Sequence, residues 1–474
     1  MSEPIHAQYE QLLLLPRNVE EWVGPQHVAR FIRDFVDLLD LAALGFEVGG
    51  AGTGRPGDAD ELLLKVWLYG YLEKVRSSRR LEAACSERMG LIWLSGQQPP
   101  DHNTLWRFWQ THRGTLRQLF KQIVQLAAAA DLVGVALHAV DGTKIAARAS
   151  RHGVRSRATL AAVLTELDAA VDEVMAQVEA TEAGAREGAV LPPEWQDTVR
   201  RRERLRELLG RLEANGQQSG QPSEPEARPM KTSGGTVPAY NAQLAVDAHS
   251  GLIVGQTVVT EPDDTYQLVR MIEQVETTLG QAAAQTVADA GYHAPAALAA
   301  AQARGYGVLV NESPQRAPAP GAPGTEYHAA RFRYEVGRDV CICPRGEALA
   351  FAHSKRGRAH RGPVRVYRCT RFRTCPVRWQ CSRERGGRTV EIGAHHAVVV
   401  AQREARAVPA NRARLRQRGA IVEGPIGIVK QVLEFRRWTV AGLENVRAQW
   451  TWVCAAFNLR KLYALWRHGR LVLN

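Results

Sequence analysis

Acidic residues are almost missing from one stretch of this 474-residue chain: between 351 and 420 only Glu384, Glu391 and Glu404 stand against 18 Lys and Arg. That local balance of +15 sits within a net charge of +12, so the remainder of the chain is near −3. A stretch this poor in acid does not suit a cationic partner. It suits a polyanion, because nearly all of its charge is arginine, whose planar fork matches phosphate, and "RVYRCTRFRTCPVRWQCSRERGGR" interleaves Tyr367, Phe372 and Trp379. The bland alternative is a solvated surface. Long apolar runs are missing too: the least polar stretch, "LAAAADLVGVALHAV" (126–140), is short and broken by Asp131, which argues against a membrane span. The N-terminus lacks a basic region followed by an apolar core and a cleavage site, so the expected location is cytoplasmic, with the nucleoid. Cysteine is scarce: there are seven, five of them between 341 and 381, and in a chain of this size that is no disulfide framework.

What the chain does contain is ordinary globular material. With 45% hydrophobic and 23% charged residues it has enough apolar side chain to fold, and its length calls for two or three domains. Residues 1–130 read as helical. "HVARFIRDFVDLL" (27–39) and "DELLLKVWLYGYLEKV" (60–75) have helical apolar spacing, and "SSRRLEAACSERMG" (77–90) starts on serine and stops at glycine. "DHNTLWRFWQTHR" (101–113) offers Asp101 and Asn103 as caps and Arg107 and Arg113 as exposed cations, the pattern of a helix-turn-helix whose last helix meets DNA.

From 131 the period changes. "GVALHAVDGTKI" predicts a strand reaching Asp141, "YNAQLAVD" and "GLIVGQTVVTE" a hairpin around "AHSG", "TYQLVRMIEQVETTLG" a helix, and "AQTVADAGY" and "YGVLVNE" (306–312) two more strands. The order describes a mixed α/β sheet with covering helices. Residues 155–215 interrupt it as a helical hairpin broken at "LPPEW", followed by a Gly/Ser/Pro-rich linker to about 236. Residues 313–395 interrupt it again, first Pro-rich, then basic and Cys-rich.

Three acids stand out. Asp141 and Asp289 end apolar strands at chain reversals ("VDGTK", "ADAGY"), and Glu423 is isolated in "GAIVEGPIGIVK" (419–430), seven residues before Lys430. Singly, each reads as a cap or ion-pair partner. Converging, three carboxylates hold two Mg²⁺ ions about 4 Å apart for phosphodiester chemistry.

The blocks "AVDGTKIAARA", "YNAQLAVDAHSGLIV", "VADAGYHA" and "GAIVEGPIGIVK", with "GYLEKVRSSRRLEAAC…WLSGQQPPDHNTLWRFWQTHR" before them and "VCAAFNLRKL" after, resemble the DDE-type transposases of bacterial insertion sequences, over residues 25–465. The resemblance implies an RNase H-like core, a metal triad of Asp141, Asp289 and Glu423 taking two Mg²⁺ or Mn²⁺, and Lys430 as the last member of a Tyr-Arg-Glu-Lys signature. Arg418 lies near the signature arginine, and Leu415 stands where tyrosine is expected. The helix around Glu423 either bends at Pro425 and continues, setting Arg416, Glu423 and Lys430 on one face, or starts at Pro425. The domains expected are a helical DNA-binding region (1–130), the core (131–312, with 155–236 inserted), a basic Cys-rich insertion (313–395) and the C-terminal part of the core (396–474). DNA contacts are expected from Arg107, Arg113, Lys144, Arg368, Arg371, Arg373, Arg416 and Arg418, with an oligomer pairing two element ends.

Cys341, Cys343, Cys369, Cys375 and Cys381 have one, five and five intervening residues, not C-x₂-C spacing. By the resemblance, Cys343, Cys369, Cys375 and Cys381 form a zinc site; buried thiols are the alternative. The function expected is transposition by metal-dependent cleavage and strand transfer. A catalytically silent repressor derived from such an element and a stand-alone Mg²⁺-dependent endonuclease are the rivals.

Overall fold

The computed structural model describes residues 18–47, 58–181, 195–214, 216–232, 234–313, 325–357 and 362–473. Contacts divide the chain into two units: residues up to 130 with 429–435 and 444 onward, and residues 131–428 with 436–443.

The first unit is helical. The helix Asp60–Leu72, expected to be one-sided, is buried on nearly every side from Leu63 to Tyr71. Tyr71 stacks on Trp452 of the C-terminal helix Leu443–Arg467 at 5.2 Å, and Trp67 Nε1 donates to the Leu105 carbonyl at 3.1 Å. The helix begun at Ser78 ends at Glu87 rather than at Gly90. Gly90 instead belongs to a second short helix, Met89–Leu94, where a Cβ would fall 2.6 Å from the Tyr69 hydroxyl; glycine is there for close packing. The helix His102–His112 is capped as expected, Asp101 accepting from the Asn103 and Thr104 amides at 2.8 and 3.1 Å.

The second unit is built on β1, Leu137–Ala146. It pairs antiparallel with β3 (Gly235–Asp247) and parallel with β5 (Gln285–Ala288). Strand β2 (Arg228–Thr232) and strand β4 (Ile253–Val259) both pair with β3, and β6 (Val308–Val310) lies beside β5. The hairpin and the mixed sheet are as expected. Two details are not. Asp141 does not end its strand: β1 continues five residues further because the long β3 pairs with it through Ala146. The linker also contains a strand, since Arg228–Thr232 turns at Gly235 and returns along β3.

Side chains alternate across β1. His138 and Val140 face Met271, Ile272 and Val275 of the helix Gln267–Leu279, so Asp141 faces the other side, where the helix Pro409–Gly427 packs over β1, β3 and β5. That helix runs through Pro425, then widens into a π turn, Ile428–Val432. Proline supplies no N–H to the carbonyl four residues back, so the helix passes Pro425 with one backbone bond fewer. At the sheet edge, Gln402 of the helix His396–Ala407 bonds both the amide of Val310 and the carbonyl of Val308, covering β6.

Between β1 and β3 the helices Arg157–Thr181 and Gln196–Ala214 pack antiparallel on Leu160, Leu205, Leu208 and Leu212. The break expected at 191–195 falls, except for Trp195, outside the described residues, as does the Pro-rich stretch 314–324. Residues 333–393 form a second, antiparallel sheet, the meander β7 (Arg333–Glu335), β8 (Val340–Ile342), β9 (Ala348–Arg356), β10 (Pro363–Cys369) and β11 (Thr389–Gly393). Its small core is Phe332, Cys341, Leu349, Tyr367, Val390 and Ile392. No helix among the described residues is long and apolar enough to cross a membrane.

Candidate active site

The parallel register sets the site. Val140 pairs with Ala288 at the end of β5, so Asp141, the next residue of β1, and Asp289, the first residue past β5, come near each other, near enough for the charge of Asp289 to act on Asp141. Asp289 also caps the 3₁₀ turn Ala290–Tyr292, its Oδ1 accepting from the Gly291 amide at 2.8 Å. Asp141 Oδ1 accepts from the Gly142 amide at 2.8 Å, and its Oδ2 from Arg418 Nη1 at 3.1 Å. Burial pushes the Asp141 carboxyl above the usual range, Arg418 pulls it back in part, and the charge of Asp289 adds to the rise.

Gly142 has no room for a side chain. A Cβ there would lie 2.4 Å from Gln243 Nε2 and 2.6 Å from Asp264 Oδ1, because a polar cluster fills the space on the Val140–Gly142–Lys144 face of β1, opposite Asp141. Asp264 is a further acid close to the strand's end, not singled out from the sequence because "TEPDDT" reads as turn acids. It accepts from Lys144 Nζ at 2.9 and 3.0 Å, from Asn241 Nδ2 at 2.7 Å and from Gln243 Nε2 at 2.6 Å.

Glu423 lies on the helix over this face and is exposed, its carboxylate near the Cα of Gly419 one turn back. Two of the three acids are thus adjacent and the third is on the covering helix. Among the described residues no three His, Cys, Asp or Glu side chains stand close enough to hold one ion together. The donor set nonetheless fits a hard divalent cation: all are carboxylates, and Asp141 is a buried carboxyl that a second cation beside Arg418 would lower. Lys430 is on the π turn after the helix.

The expected DNA contacts divide by pairing. Arg107, Arg368, Arg373 and Arg416 are exposed. Arg371 is also exposed but pairs with Glu347 at 3.0 Å, and Arg113 donates to Asn445 at 3.1 Å. Lys144 holds Asp264 and Arg418 holds Asp141, so each neutralises an acid.

In the antiparallel module Cys341 is fully buried in the core, whereas Cys343, Cys369 and Cys381 pack at its margin. Burial raises the thiols of Cys341, Cys369 and Cys381, and no three of the cysteines stand close enough to hold one ion together. All seven cysteines are free thiols.

Residues 342–463 match the family model described as a transposase DDE domain, and residues 17–111 one described as a transposase domain, DUF772. The first match contains Glu423, Lys430, Cys343, Cys369, Cys375 and Cys381, and the second Arg107; Asp141 and Asp289 lie outside both. No curated protein matches the chain.

Proposed function

Since the chain belongs to the DDE-type insertion-sequence transposases, we propose that it binds the ends of an element and cuts and joins DNA by in-line phosphoryl transfer on an RNase H-like core. The observation that carries this reading is the Val140–Ala288 register, which sets Asp141 beside Asp289 under the helix bearing Glu423. These three carboxylates would hold two Mg²⁺ or Mn²⁺ ions, which when bound activate the attacking oxygen and stabilise the leaving one. Arg418 tethers Asp141 and offsets its charge. The helix His102–His112 carries Arg107 toward DNA, and Arg368, Arg373 and Arg416 offer phosphate contacts, which fix the duplex without reading sequence. Pairing two ends calls for at least a dimer.

The test is a labelled element-end duplex incubated with a plasmid target and Mg²⁺ or Mn²⁺. Asp141→Asn, Asp289→Asn and Glu423→Gln should each abolish nicking and joining while leaving end binding nearly intact; Asp131→Asn and Glu261→Gln should keep most activity. A triad variant that joins DNA at the wild-type rate would remove that residue from the site. Nicking without joining would favour a stand-alone endonuclease, and binding with neither a repressor.

Zinc at the thiols of Cys343, Cys369, Cys375 and Cys381 is the second proposal: their soft sulfur suits the ion, and binding it would draw them closer than they stand here, where no three of them hold an ion together. Elemental analysis of the purified protein should find about one zinc per chain, lost in Cys375→Ser. A metal-free, fully folded protein would leave the thiols as packing.

A further inference from the structure

Burial, helped by the charges of Asp264, Asp141 and Asp289, pushes the Tyr292 hydroxyl far above the usual phenol range. It therefore donates, and its acceptor is Gln243 Oε1. That bond fixes which way the Gln243 amide faces. Gln243 Nε2 then donates to Asp264 Oδ1 at 2.6 Å and to Asn241 Oδ1 at 2.9 Å. Asn241 Nδ2 in turn donates to Asp264 Oδ1 at 2.7 Å and to the Glu261 carbonyl at 3.2 Å. Both amides are fully buried, as is Tyr292, so each step of the chain is satisfied and directional, and all of it ends on Asp264. Lys144 cancels the charge that Asp264 would otherwise add beside the two aspartates. At the other end, Tyr292 is the last residue of the 3₁₀ turn that Asp289 caps. The Lys144-bound oxygen of Asp264 also reaches this turn, since a Cβ on Gly291 would lie 3.6 Å from Asp264 Oδ2.

We infer that Asp264, held by Lys144 and acting through Gln243 and Tyr292, is a positioning residue that fixes the turn on which Asp289 presents its carboxylate to a divalent cation. The inference rests on the metal reading of Asp141 and Asp289 and adds to it a carboxylate that touches neither ion nor DNA. Asp264→Asn removes the charge on which Lys144 and both amides converge and turns one of its two acceptor oxygens into an N–H donor, and Tyr292→Phe removes only the hydroxyl that links the turn to them. Neither takes away a ligand.

The experiment titrates Mn²⁺ into the full-length protein without DNA, following the electron-paramagnetic-resonance signal of free Mn²⁺, with the melting temperature of each variant measured alongside. Asp264→Asn and Tyr292→Phe should each weaken Mn²⁺ binding about tenfold, the usual cost of losing a partner behind a metal ligand. The double variant should be no more than about twofold weaker than the weaker single, because both changes cut one chain. Single variants that bind like wild type would overturn the inference and leave the metal site standing. Losses that multiply to about a hundredfold would show two independent effects and overturn it as well. Wild-type protein that takes up no Mn²⁺ would sink the metal reading, and this inference with it. Tyr292→Phe, which removes one oxygen, carries the test if Asp264→Asn fails to fold.

Discussion

Asp141 and Glu312 are both arginine-paired carboxylates of the sheet unit, yet they titrate on opposite sides of the usual range. Glu312, just past β6, is the more buried of the two, its side chain 2% exposed against 19% for Asp141. Burial alone would push the Glu312 carboxyl up, but hydrogen bonds from Arg403 at 2.8 and 2.9 Å and from Arg406 at 2.6 Å outweigh it and hold it at about 2. Asp141 has one guanidinium contact, and there burial wins. The number of guanidinium donors, two arginines against one, separates the two. A carboxylate with two arginines is finished, and it clamps the helix His396–Ala407 to the sheet edge. A carboxylate with one retains unmet demand for positive charge, as a metal ligand should before the metal arrives.

The largest effect should come from breaking the finished pair. Glu312→Gln leaves two half-buried guanidinium groups without an anion and should cost about 3 kcal/mol at neutral pH, read as a lower denaturation midpoint. The sign of the pH dependence follows from the depressed pKa. The stabilisation is present above the ordinary glutamate value of 4.5 and is lost as pH falls toward about 2, so wild type and variant should converge in acid. Equal gaps at pH 7 and pH 3 would mean that packing, not charge, holds the clamp. A smaller effect sharpens the contrast between paired and free arginines. Replacing Arg368 and Arg373 with alanine should weaken binding to many DNA sequences alike and flatten the salt dependence by about two counterions' worth of slope. Replacing Arg371, which Glu347 already neutralises, should change the slope less. An unchanged slope in the first variant would take this patch off the DNA path.

Much of this architecture is legible in the sequence. The alternation of β1, β3 and β4, the amphipathic helix ending at Gly280 and the Asp101 cap all follow from local rules. The rest depends on pairing between distant segments. That Asp141 abuts Asp289 requires the register between β1 and β5, which neither strand contains alone. That Arg418 pairs with Asp141 requires the helix to be laid over the sheet. Asp264 looked like one of two adjacent turn acids, and only Lys144, Asn241 and Gln243, converging from β1 and β3, distinguish it from Asp263. The strand Arg228–Thr232 was masked by its Pro and Ser neighbours, although the Gly-Gly turn after it was a hairpin signal.

The claim that Asp141 awaits a cation is tested most directly by melting wild type and Asp141→Asn with and without Mn²⁺. A carboxyl whose folded pKa is raised costs stability once ionised: the cost is absent below its ordinary value of 3.8 and grows as pH rises through the folded value. Without metal at neutral pH the variant should therefore melt slightly higher than wild type, with the gap closing in acid. Millimolar Mn²⁺ should raise the melting temperature of wild type by several degrees, since a ligand that binds only the folded state stabilises it, and should leave Asp141→Asn nearly unmoved. If the variant gains as much from Mn²⁺ as wild type does, Asp141 is no metal ligand and the site drawn around it is wrong.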